Sequence, residues 1–192
     1  MSDTVQIIDG TGTVDTKAKV DASNQLHTFN IDHSAMYEAS LTGDAYSWTS
    51  VTSDIGTGDT ALVVQNKSHT RKLVIRDVYA YGDVPSLMKI HCPIPVAFSG
   101  GAAVVGVNLN RKYAATLAVA LGHRDEEATT FAAGNVILTL STNETTGDQY
   151  GIMVSPLLDG ALMLGYDDII AVDVIGEVAA YECTITGYYV DL

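Results

Sequence analysis

Charged residues are scarce in this sequence, and basic residues are missing from its last third. Lys, Arg, Asp and Glu make up 17% of the 192 residues, below the roughly 25% of a typical soluble domain. All ten Lys and Arg residues lie at or before Arg124, whereas twelve of the 23 Asp and Glu residues follow it. Residues 125–192 therefore carry nearly all of the formal charge of −13. Such a surface repels phosphate backbones, so we expect no binding to nucleic acid.

Signals of membrane, secreted and disulfide-linked proteins are also missing. No apolar run reaches the roughly 18 residues that a membrane helix needs, and the polar start MSDTVQIIDG does not resemble a secretory signal. We therefore expect a soluble protein without a membrane partner. Cys92 and Cys183 each lie on the apolar side of a candidate strand. This placement favours two buried, reduced thiols over a disulfide, and nothing resembling CxxC suggests zinc.

No group of residues predicts catalysis, a cofactor or a metal site. The five histidines stand outside HExxH and HxH motifs. Asp167 and Asp168 would point to opposite faces of a strand, unless a turn bends them together. The segment GTGTVD (10–15) lacks the Lys and Ser/Thr of a phosphate-binding loop. We expect no catalytic residue; a divalent ion held by acidic residues of several subunits is a weaker alternative.

Short strands separated by turn residues account for most of the chain. Apolar residues alternate with polar ones in several of them: Met88, Ile90 and Cys92 share a face, as do Tyr181, Cys183, Ile185 and Tyr189. This pattern predicts an all-β antiparallel sandwich or barrel. The candidate strands are two pieces of 38–51 around Thr42-Gly43-Asp44, then 60–66, 71–82, 86–92, 135–142, 149–158, 167–176 and 179–192.

Two regions depart from this strand pattern. RKYAATLAVALG (111–122) predicts one short helix ended by Gly122, or else a buried crossover. Its small-residue neighbours predict a long crossover loop spanning 99–134. Residues 1–25 are polar and predict an extended N-terminal arm, which could reach about 80 Å when stretched. The remaining residues, 26–192, are expected to form a single β-sandwich domain.

High apolar content combined with low charge predicts a surface covered by partners. Apolar residues make up 47% of the chain. The candidate contact residues are apolar ones in the arm and basic ones elsewhere. The aromatic pairs Tyr46 with Trp48 and Tyr188 with Tyr189 favour a β-core, with a sugar-stacking platform as the alternative. The candidate interface residues are Val5, Ile7, Ile8, Arg71, Lys72, Arg76, Arg111 and Lys112.

The order of segments resembles that of small structural proteins encoded among the head genes of tailed bacteriophages. It consists of VDASNQLHTFNID (20–32), EASLTGDAYSW, TALVVQN and RKLVIRDVYAY, with AAYECTITGYYVDL closing the chain. The likeness covers the N-terminal half and the last strand, but not residues 99–134. It implies a jelly-roll-like sandwich that forms a homotrimer and binds the major capsid protein. The implied protein is a capsid decoration (cement) protein on the outer capsid surface of the virion, assembled in the host cytoplasm.

Three other functions remain open at this stage. A tail, neck or fibre-base protein would have the same β-architecture, and copy number per particle would distinguish it. A carbohydrate-binding module would use Trp48 and the neighbouring tyrosines. An enzyme is the least favoured interpretation, because the sequence contains no catalytic constellation.

Overall fold

The described part of the chain consists of one short helix and twelve strands. The computed structural model describes residues 34–55, 60–82, 87–92, 102–110, 118–122, 136–141, 152–154, 161–175 and 178–192. The predicted arm, residues 1–25, lies outside them. The elements are α1 (Ala35–Thr42), β1 (Ala45–Ile55), β2 (Thr60–Asn66), β3 (Arg71–Gly82), β4 (Leu87–His91), β5 (Ala102–Val104), β6 (Val107–Asn108), β7 (Ala118–Gly122), β8 (Val136–Ser141), β9 (Ile152–Val154), β10 (Leu162–Leu164), β11 (Ile169–Ile175) and β12 (Val178–Asp191).

The strands form two antiparallel sheets. The first sheet has the order β10-β3-β12-β1-β6, with β9 also paired to β3, and the second has the order β5-β7-β2-β11-β4-β8. Without β5, β6, β7 and β10, eight strands remain, and they can be counted from first to eighth in chain order. In one sheet the first strand pairs with the eighth, the eighth with the third and the third with the sixth. In the other sheet the second strand pairs with the seventh, the seventh with the fourth and the fourth with the fifth. This is jelly-roll winding, so the predicted all-β, jelly-roll-like sandwich is confirmed.

The core lies between the two sheets and is built from the predicted apolar faces. Met88, Ile90 and Cys92 of the second sheet are buried, as are Tyr181, Cys183, Ile185 and Tyr189 of the first. Trp48 at the centre of β1 is fully buried among them. Each large apolar side chain removed from water in this way contributes about 1.5–3 kcal/mol, which makes the core the main source of stability.

A β-bulge in β3 explains a shift in the alternation of its sequence. Thr186 of β12 pairs with Asp77 and Gly187 pairs with Ile75, so Arg76 is the extra residue. Core residues therefore fall at Leu73 and Ile75 before the bulge and at Val78 and Ala80 after it. Gly187 is required here because a Cβ would lie 2.6 Å from the Val74 carbonyl oxygen.

Helix α1 replaces a segment that the sequence pattern assigned to a strand. The Ser34 hydroxyl accepts a hydrogen bond from the Tyr37 N–H at the start, and Gly43, at φ 83°, ends the helix in the left-handed conformation. Met36 and Ala39 pack on the outer face of the first sheet against Ala45, Val74 and Tyr188. The prediction of two strand-like pieces in 38–51 is thus wrong for its first piece, because these end-capping residues favour a helix.

The predicted helix over 111–122 is wrong in its second half, which forms β7. Ala118 and Ala120 face the core while Val119 is exposed, and the strand pairs with β2 over its whole length. The edge of β2 supplies hydrogen-bond partners, so sheet pairing overrides the helix propensity of Ala and Leu. Gly122 is not a helix cap; it allows close packing, since a Cβ there would lie 2.3 Å from Ser50 Oγ. The predicted loop over 99–134 also contains β5 and β6, which extend the two sheets.

Candidate interaction surface

The described interior contains no group poised for redox or metal chemistry. Cys92 and Cys183 are both free and buried, as predicted, and burial raises the pKa of each thiol to about 12. At neutral pH both therefore remain protonated and poorly reactive. Among the described residues, His, Cys, Asp and Glu do not gather in threes at a distance suited to a metal ion.

The aromatic residues considered for sugar stacking lie inside the fold. Tyr46 stacks on Trp48 with ring centroids 6.0 Å apart and meets Tyr189 edge-on at 5.7 Å. These three side chains belong to the core between the sheets, and Tyr188 is buried beneath α1. The interpretation of these residues as a sugar-stacking platform is therefore wrong, because a ligand at the surface cannot reach the rings.

Arg71, one of the predicted contact residues, connects three segments of the first sheet. Its guanidinium donates to Asp44 Oδ1 at 2.5 Å and to Asp191 Oδ1 at 2.8 Å, and it lies 5.6 Å from the centre of the Tyr189 ring. The Arg71 hydrogen bond lowers the pKa of Asp44, and Asp44 in turn raises the pKa of Arg71. These contacts lie within its own chain, and its role as a partner-contact residue stays a prediction.

Two of the other predicted contact residues, Lys72 and Arg76, are described, and each has different surroundings from Arg71. Lys72, the next residue on β3, is partly buried. Arg76 lies at the bulge, with Nε 3.3 Å from Asp77 Oδ2. Both remain predictions as contact residues. Val5, Ile7, Ile8, Arg111 and Lys112 lie outside the described residues.

Asp167 and Asp168 lie in the turn before β11, where each has its own partner. Asp167, at φ 64°, accepts from Lys67 Nζ at 2.6 Å, while Asp168 Oδ2 accepts from the Gly165 N–H at 2.7 Å. The fully buried Asn66 amide donates to the carbonyls of Arg71 and Leu164, which joins this turn to the one before β3. The two acids therefore stabilise turns and do not form an acid/base pair.

The central strands of the second sheet carry buried residues on their outer face, and these include an ionisable pair. Val63, Ile169 and Ala171 form a small apolar cluster there. Beside it, Asp173 Oδ2 lies 2.7 Å from His91 Nε2, and Asp173 Oδ1 accepts from the Thr60 hydroxyl at 2.7 Å. Burial lowers the pKa of His91, and the charge of Lys89 acts in the same direction. Sequence alternation placed His91 away from the core without indicating that it is buried.

The outer face of the first sheet is open beyond the area under α1. Thr49 of β1 and Thr184 of β12 are hydrogen-bonded to each other across the strands at 2.9 Å. Val51 follows on β1 and is exposed, as is Tyr81 on β3. This part of the face presents hydroxyl, methyl and aromatic groups together with the exposed Glu182, a composition that suits contact with another surface.

One edge of the sandwich carries a strip of exposed apolar residues, here called the edge strip: Val51, Val105 and Val107. Their exposed fractions are 66%, 75% and 60%. Val51 and Val105 also line a cleft of about 390 Å³, together with Thr49, Ser50, residues 102–104 and Gly122. Sequence reasoning missed this strip because it treated residues 99–107 as a loop, although the valines themselves were the available signal.

None of the helices in the described residues is long and apolar enough to cross a membrane.

The chain matches no protein-family model, no curated protein and no solved structure.

Proposed function

We propose that this chain is a structural virion protein of a tailed bacteriophage, and specifically a capsid decoration protein. In this role it binds the major capsid protein on the outer surface of the capsid and stabilises the joints between capsomers. It associates with further copies of itself, as a homotrimer. No step of chemistry is part of this function, so the useful features are surfaces.

The observation that carries this proposal is the contrast between a closed interior and an open apolar edge. The polar side chains at the sheet ends are tied into turns, and both cysteines are buried and protonated. The edge strip instead leaves three valines in water, a feature that marks an interaction surface. A jelly roll with such a surface is well suited to assembly, because neighbouring subunits bury what the monomer exposes.

Charge supports a position on the outside of a particle. The chain carries a formal charge of −13, concentrated in residues 125–192, so a position against packaged DNA would be strongly unfavourable. The resemblance of segments in the N-terminal half and of the last strand to phage head proteins favours the same location.

Quantitative mass spectrometry and immunogold labelling of purified particles test the proposal. We expect many copies per particle, in a fixed ratio to the major capsid protein, with label spread over the head. A few copies confined to the tail would favour the alternative of a tail, neck or fibre-base protein. Absence of the chain from particles would refute both assignments.

A carbohydrate-binding module remains a second alternative, but without its proposed platform. Trp48 is 0% exposed, so a sugar would have to bind elsewhere, for example on the hydroxyl-rich outer face of the first sheet. A glycan array with the purified chain tests this alternative, and a saturable signal for one sugar class would support it.

A further inference from the structure

Both sheets of the sandwich end on the same side of the molecule, and the edge strip lies there. In the first sheet, β6 pairs with β1 only at Tyr46 and Ser47. Beyond Ser47, this edge of β1 has no further strand paired to it among the described residues. In the second sheet, β5 is the terminal strand. The cleft lies between these two strand edges, with Thr49–Val51 on one side and residues 102–105 on the other.

Two common guards against pairing with another chain, charged residues and proline, are missing from these strand edges, and the protection seen among the described residues is the short length of β5. Proteins commonly guard exposed edges with Lys, Pro or inward-pointing charges. Thr49–Val51 and Ala102–Val104 contain none of these, and no Asp, Glu, Lys or Arg occurs anywhere in residues 90–110. A strand edge without charge or proline, flanked by exposed valines, is a surface that another chain can cover.

The low charge of the edge strip favours a second copy of the same chain as the partner. Residues 90–110, which supply Val105 and Val107, contain no Asp, Glu, Lys or Arg, whereas Val51 pairs with the exposed Glu182 of β12. A chain with a formal charge of −13 repels its own copies, so copies approach best on the side of Val105 and Val107. In the proposed homotrimer the strips of three copies meet around one axis, where each covers apolar surface of the next.

We infer that the edge strip and the neighbouring strand edges of β1 and β5 are the contact through which copies of this chain associate. The inference deepens the self-association in the proposed function and rests on that part of it. A standard interface buries about 800 Å² on each partner, so the three valines form the centre of the contact and polar residues around them complete it.

The first test compares two variants that add the same charge at exposed apolar positions. Val105→Glu places a carboxylate in the edge strip, and Met163→Glu places one on β10, at 51% exposure in the same sheet. Multi-angle light scattering and sedimentation equilibrium should show a dimer or trimer for the wild type and for Met163→Glu. Val105→Glu should dissociate, with association weakened by at least roughly tenfold. Circular dichroism verifies that both variants fold.

A second test measures contact at the strip directly. Because Cys92 and Cys183 are buried with pKa values of about 12, Val105→Cys introduces the one fast-reacting thiol among the described residues. We expect its reaction with a thiol reagent to slow as protein concentration rises, because association covers it. Met163→Cys serves as the control and should react at a constant rate.

Three results would overturn the inference: a wild-type monomer at every concentration, undiminished association of Val105→Glu, or a thiol reaction rate in Val105→Cys that does not depend on protein concentration. The particle measurements are separate from these. If Val105→Glu stays associated while particles carry many copies on the head, the contact is wrong and the proposed function stands. If Val105→Glu dissociates but particles lack the chain, the proposed function fails and the contact stands.

Discussion

The outer faces of the two sheets differ, although both belong to strands of one sandwich. On the second sheet the outward residues Val63, Ile169 and Ala171 are buried. On the first sheet, beyond α1, the outward Thr49 is exposed and Thr184 is only partly buried. The two outer faces therefore differ at the centres of their sheets: the centre of one contributes to stability, and the centre of the other is open to contact.

The largest expected difference concerns truncation of one outward-facing side chain on each of the two faces. Ile169→Ala should lower the free energy of unfolding by about 2–5 kcal/mol, because it leaves a cavity in a buried cluster. Thr184→Ala, on the outer face of the first sheet, is the matched control and should change it by about 0.5 kcal/mol or less. Denaturant unfolding monitored by Trp48 fluorescence measures both. Equal costs at the two positions would show that the faces do not differ.

The next effect concerns the polar group on the buried face. Asp173→Ala removes the acceptor of the Thr60 hydroxyl and the carboxylate beside His91. We expect a loss of about 1–3 kcal/mol, since buried polar atoms lose their partner. Asp173→Asn keeps an acceptor oxygen for Thr60 and should cost less. If both variants unfold at the wild-type midpoint, the cluster contributes nothing to stability.

Acidification should lower the free energy of unfolding through His91, which lies among the buried outward residues of the second sheet. Its folded-state pKa lies below the ordinary value of 6.5 because burial disfavours the charged ring, despite the nearby Asp173 carboxylate. As the pH falls through 6.5, the unfolded chain binds a proton at this residue and the folded chain does not. Stability is therefore lost toward lower pH. Unfolding midpoints measured across this range should slope less steeply in His91→Gln; parallel profiles would contradict the assignment.

The smallest effect is expected on the open face. Thr49→Val removes the exposed hydrogen bond to Thr184 but keeps the β-branched shape. The free energy of unfolding should change by about 0.5 kcal/mol or less, because water replaces the lost partner. Thermal unfolding of this variant beside Thr184→Ser, which keeps both hydroxyls, measures the change. A loss comparable to that of Ile169→Ala would mean that the face is not open.

The strands at the centre of the sheets were the part that the sequence predicted best. TALVVQN gave β2 with the predicted bounds, and RKLVIRDVYAYG gave β3 in the same way. Both have strong β-branched content bounded by turn residues, so local propensity and tertiary pairing agree. The apolar run in β2 also fits burial of both its faces, in contrast to the strict alternation at Glu182–Thr186 of β12.

The edges and ends were predicted less well, for physical reasons. In α1, Ser34 and Gly43 determine the helix, and such capping signals are weaker than an apolar pattern. In β7, Ala and Leu favour a helix locally, but the edge of β2 fixes them as a strand through contacts distant in sequence. The edge strip depends on where the two sheets end, which no local pattern reports. The sequence left open whether a turn brings Asp167 and Asp168 together, and the structure shows each with its own partner in the turn before β11.

The pairing of β1 with β12 has a mechanical consequence. Ala45, near the start of the described domain, pairs with Tyr188, close to its last residue, and Arg71 bridges Asp44 and Asp191 beside them. Interstrand hydrogen bonds in antiparallel pairs lie perpendicular to the strands. Opposing forces on Ser34 and Leu192 would therefore peel these bonds open one after another, starting at the arginine, instead of shearing them all together. The domain should thus have low resistance to tension applied between these two residues.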